Sequence, residues 1–114
     1  MITSLLAAAL ALQSAPEPPA LSQSDRALLR CSAAFAIIAD GQARGNAAAL
    51  RWPDVTTRGR EFFVRALAQL MDTTGLDRAG INRLASDAAQ QLRDSGETER
   101  IMPSCLIMLE SSGL

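Results

Sequence analysis

The most distinctive reactive side chains in this chain are two thiols, Cys31 and Cys105, far apart in the sequence. They are not spaced as a C-x-x-C redox pair. Two distant cysteines in a chain with His 0 cannot supply a zinc or iron site either. In an oxidising compartment they are expected to pair with each other. The loop-entropy model assigns such a bond about 4 kcal/mol, with strain able to reduce it. The remaining inventory is narrow: Tyr is 0, and all 11 basic residues are arginine. A serine or cysteine nucleophile would have no histidine base beside it. No lysine is present to form a Schiff base. Gly41-Gln42-Ala43-Arg44-Gly45 lacks the Gly-Lys-Ser/Thr of a phosphate loop. The expectation is a non-enzyme that uses no cofactor and no metal.

Charge narrows the partners. The net charge is -1, without the basic excess on which nucleic-acid affinity depends, so no nucleic-acid partner is expected. The distribution is uneven. Between residues 44 and 65, five arginines face two acids, a local +3; between 66 and 114, four arginines face seven acids, a local -3. Within the first stretch, Arg51, Arg58 and Arg60 form a candidate patch for an anion or a partner. The plainer reading is solvated helix faces. Asp40–Arg44, Asp54–Arg58 and Glu61–Arg65 each place an acid four residues before a base, the favourable order for local helix pairs.

The elements that must position these groups begin after an apolar start. Ile2 to Leu12 is uncharged, of the length of a signal-peptide core, about 7–15 residues, and short of the roughly 20 needed to span a membrane. Residues 1–15 are expected to be a signal peptide and 16–22, with Pro16, Pro18 and Pro19, a flexible lead-in. No later stretch is long enough to span a membrane. Residues 23–112 are then a single helical domain, periplasmic or secreted.

Within that domain the spacing predicts an all-α fold, a small bundle of four to five helices. The first helix is expected to start near Ser24, with Leu28, Cys31, Phe35 and Ile38 on one face. Gly41 and Gly45-Asn46 mark its end or a break. Ala47–Leu50 favours a short helical turn, and Pro53 disfavours helix at Trp52. Trp52 is expected to be a core plug over that loop. The next helix is expected from Asp54, as N-cap, to Asp72. Its stripe of Val55, Gly59, Phe62, Ala66 and Leu70, with Phe63, Leu67 and Met71 beside it, is wide enough to predict a central helix. Gly59 costs helix propensity, about 1 kcal/mol relative to Ala, which a close helix crossing would offset. Gly75 ends this helix. Asp77 caps the following one, with Leu76 and Ile81 at the staple positions, and Asp94-Ser95-Gly96 closes it. The last element spans about 97–111. There Pro103 either opens a helix near Met102 or lies inside a longer one. This segment is nearly apolar all round and is expected in the middle of the bundle, with a Cys31–Cys105 disulfide joining the first and last helices. Met102, Ile107, Met108 and Leu114 are expected in the core rather than on a partner surface.

Three functions fit. The first is a non-catalytic binding or interaction domain with a protein partner in the cell envelope. The second is a stress holdase, suggested by the thin core and the charge asymmetry. The third is a small-ligand carrier using the neighbourhood of Phe62, Phe63, Arg58 and Arg60. In general plan, a short exported helical chain with two distant cysteines, the protein resembles small periplasmic acid-stress chaperones. The likeness is one of architecture; it implies the holdase function and carries no residue over.

Overall fold

Ser22 opens the first helix. Its hydroxyl accepts from the Asp25 N–H at 3.0 Å, and helix α1 then runs Gln23–Ala43. Ser24 is not the cap, because Ser22 places Asp25 three residues on, where an acid meets the positive helix end. The computed structural model describes residues 21–114; the proposed signal peptide and residues 16–20 of the lead-in lie outside them. Four more helices follow: α2 Ala47–Leu50, α3 Arg58–Thr74, α4 Arg78–Ser95 and α5 Thr98–Ser111. The described residues are 79% helical and include no strand. None of their helices is long and apolar enough to cross a membrane.

α1 passes straight through Gly41 and stops at Gly45, whose φ of +74° suits a residue without Cβ. The Asn46 N–H returns to the Gly41 carbonyl at 2.8 Å and the Gly45 N–H to that of Gln42 at 3.1 Å, a Schellman closure. Asn46 then caps α2 through its side-chain oxygen.

α3 starts three residues later than Asp54 as N-cap would set it. The Asp54 carboxylate accepts from the Thr56 N–H at 2.9 Å and the Thr56 hydroxyl at 2.7 Å. This local turn competes with the cap, and the helix begins only at Arg58, after a Thr57 that offers no side-chain bond. The later boundaries follow the sequence reading. Gly75 ends α3, the Asp77 carboxylate accepts from the Gly80 N–H at 2.8 Å, and Gly96 ends α4. Pro103 lies inside α5, the longer-helix alternative.

The hub is α1, not α3: it packs against each of the other four helices. Residues 31–35 of α1 are all buried. Four of them, Cys31, Ser32, Ala33 and Ala34, are small, so neighbours approach from several sides at once. The Ser32 hydroxyl meets its own need by donating to the Leu28 carbonyl at 2.7 Å. The fifth, Phe35, meets Phe62 of α3 edge to face, with ring centroids 5.1 Å apart, an arrangement worth about 0.5–1.5 kcal/mol beyond burial. Gly59 sits at that crossing. A Cβ added to it would lie 3.2 Å from the Phe35 Cβ and 3.1 Å from that of Val55, so the close approach anticipated for this glycine is present.

α5 lies against α1 and α3 rather than in the middle. It buries Met102, Cys105 and Leu109, while Ile107 is 69% exposed and Met108 and Leu114 are half-buried. Trp52 is half-buried at the margin of the core rather than a full plug.

Candidate functional site

α5 is the element on which the reactive and charged groups converge. Cys105, 1% exposed, is disulfide-bonded to Cys31 of α1, 6% exposed. Around this staple stand ion pairs reaching α5 and its ends from three directions. From α1, Arg30 meets Glu97 at 2.6 Å, and Glu97 also holds Arg100 one turn on. From the loop after α2, Arg51 meets Glu99 at 3.2 Å. From α3, Arg58 meets Glu110 at 3.0 Å and donates its Nε–H to the Leu114 carbonyl at 2.8 Å. Arg65 donates to the Ser112 carbonyl at 3.2 Å. Two arginines of the basic stretch, Arg51 and Arg58, thus pair with two acids of the acidic stretch, Glu99 and Glu110.

Of the three local pairs expected, Asp40–Arg44 forms at 3.1 Å. Arg58 and Arg65 turn away from Asp54 and Glu61 to reach α5 instead. These pairs are at least partly exposed, so each contributes about 0–1 kcal/mol.

Arg51, Arg58 and Arg60 have different neighbours. Arg51 stands beside Trp52 and Glu99, Arg58 against the end of α5, and Arg60 on the groove between α1 and α3. The Phe62 ring of the candidate ligand neighbourhood is buried against Phe35, and Phe63 is half-buried.

Two grooves flank the hub helix. The α1–α4 groove, about 830 Å³, has Leu29, Leu84 and Leu92 among its lining, with Arg26 and Asp87 on opposite helices. The α1–α3 groove, about 290 Å³, is lined mainly by alanines, Phe63 and Val64. Among the described residues no group of three His, Cys, Asp or Glu could hold a metal ion.

Sequence reasoning missed Gln42. Its amide Nε2 lies 3.1, 3.2 and 2.9 Å from the carbonyl oxygens of Ala49, Trp52 and Pro53. Its Oε1 accepts from the Val55 N–H at 3.0 Å. One side chain therefore supplies partners to the non-helical backbone between α2 and α3, which has few of its own. Its signal in the sequence was slight: a polar residue one position before a helix end.

Comparison with protein-family models, curated proteins and solved structures finds no match for this chain.

Proposed function

We propose that this protein is a small exported helical domain of the cell envelope, periplasmic or secreted, that binds another envelope protein and performs no catalysis. The observation that carries the reading is the buried Cys31–Cys105 link between the hub helix and the last helix. Disulfides persist in oxidising compartments and compensate for the thin core of a small exported domain. Of the three candidate arginines, Arg51 and Arg58 are engaged with acids of α5. Leu50, Val64 and Ile107, at 57%, 69% and 69% exposure, leave apolar contact surface outside the core.

The test is the intact mass of the protein recovered from its host, with thiols capped before and after reduction, followed by its use as bait in an envelope extract. Expected are a loss of about 1.5–2 kDa at the N-terminus, as a removed signal peptide requires, capping only after reduction, and a specific partner retained. A full-length mass with two freely capped thiols would overturn export; retention of nothing above background would overturn binding.

A stress holdase is the second reading. It is favoured by the way α5 buries its own apolar Met102 and Leu109 while its ion pairs with Arg51 and Arg58 remain partly exposed. It requires that near-stoichiometric protein suppress aggregation of an acid-treated client, and no suppression removes it.

A further inference from the structure

Val64 is out of place in a solitary bundle. It is β-branched, a weaker helix former than Ala or Leu, yet it occupies the middle of α3 with 69% of its surface exposed. Neither propensity nor burial within this chain favours it there. It lines the α1–α3 groove together with Ala36, Ala43 and Phe63. Ala36 and Ala43 are exposed and Phe63 is half-buried, so the strip is apolar and accessible. The charged side chains lining it are one acid, Asp40, and one base, Arg60. Arg60 has no carboxylate within ion-pair distance among the described residues. Asp40 has only its exposed contact with Arg44, at 3.1 Å.

We infer that this face docks a second copy of the chain. A surface with one acid and one base beside an apolar strip is its own electrostatic complement. In a two-fold dimer the same patch serves both copies, and an axis running between Asp40 and Arg60 sets Arg60 of each copy against Asp40 of the other. A partner of single-signed charge would leave one of the two unmatched. The small side chains of Ala36 and Ala43 let a facing helix come close, and Val64 supplies the apolar contact that its own chain does not use. The inference goes beyond the export and binding reading and does not depend on it.

Sedimentation equilibrium of the oxidised protein recovered from its host, from about 1 µM to about 1 mM, reads the association directly. A reversible monomer–dimer equilibrium is expected. Val64→Glu should raise the dissociation constant at least about tenfold, as loss of a central apolar contact does. Ile107→Glu, equally exposed but on α5, should leave it unchanged. Asp40→Arg and Arg60→Asp should each weaken the dimer, and the double variant should regain it. Helix content by circular dichroism checks that each variant folds; should a charge variant unfold, the comparison of Val64→Glu with Ile107→Glu decides. A monomer throughout, a dimer indifferent to Val64→Glu, or one lost equally with Ile107→Glu overturns the inference. So does a folded double variant that stays as weak as the single ones.

Discussion

Gly41 and Ala49 are packed so closely that neither position has room for more: a Cβ added to Gly41 would stand 2.7 Å from the Ala49 Cβ. Both atoms are fixed to backbone, so neither can swing aside. This contact seats α2 against the end of α1, and Gln42, the next residue, then bonds the loop that follows. The glycine that reads as a helix breaker is instead a helical residue at a close crossing.

Gly41→Ala therefore tests close packing against helix propensity. The substitution would gain about 1 kcal/mol if the position were free. Here overpacking, typically about 1–3 kcal/mol, should outweigh that gain. The expected outcome is a net loss of stability in chemical denaturation, with a changed Trp52 emission as α2 shifts. A stabilised variant would mean that α2 yields easily.

Removing the disulfide should cost more than any surface change. Replacing both Cys31 and Cys105 by Ser avoids a stray thiol. It should destabilise the protein by about 4 kcal/mol on the loop-entropy model, a large share of a typical stability of about 5–15 kcal/mol. The wild type with reductant should move in the same direction. Equal denaturation midpoints with and without reductant would remove the bond from the stability of the domain.

Gln42→Leu keeps the approximate bulk of the side chain and deletes its bonds. The Val55 N–H and the carbonyls of Ala49, Trp52 and Pro53 would lose a partner, at about 1–3 kcal/mol for groups left unsatisfied. Hydrogen exchange at the Val55 amide should accelerate beyond the change in global stability. An exchange rate unchanged from wild type would show that other groups or water satisfy the loop.

Asp54 should titrate below the ordinary aspartate range, first because the Thr56 hydroxyl donates to it, then because the Thr56 backbone N–H does, against a small opposing effect of desolvation. A lowered folded-state pKa contributes stability that is present above the unfolded-state value and is lost as pH falls through the folded-state value. Thr56→Val removes the larger cause, so the Asp54 carboxyl should titrate higher in this variant. An NMR titration of its carboxyl resonance checks this, and identical titrations in the two proteins would remove the hydroxyl's role.

The unevenness of legibility has a physical basis. Asp77 and Gly75 could be assigned from the sequence because capping is local: the bonds they make or permit close within one turn. Helical spacing likewise puts Ile81, Leu84, Ala88 and Leu92 of α4 on one face with Ala85 beside it, but spacing does not decide between the flanking pair: the packing buries Ala85 and leaves Leu84 half-buried. Ser22 and Asp54 show the limit even of local signals. Where two candidate side chains lie within a few residues, small differences in turn geometry choose between them.

By itself the sequence determined the all-helical class, the apolar faces and the pairing available to two cysteines, because these follow from periodicity, caps and composition. Only the tertiary structure decided that α1 rather than α3 is the hub. A wide apolar stripe shows how much a helix can bury, but the small side chains of residues 31–34 set how many neighbours can come close. Only the tertiary structure likewise turned Arg58 and Arg65 from their neighbours in sequence toward α5. A guanidinium on a long flexible stem meets whichever carbonyl or carboxylate the packed helices bring within reach, and spacing along the chain carries no record of that.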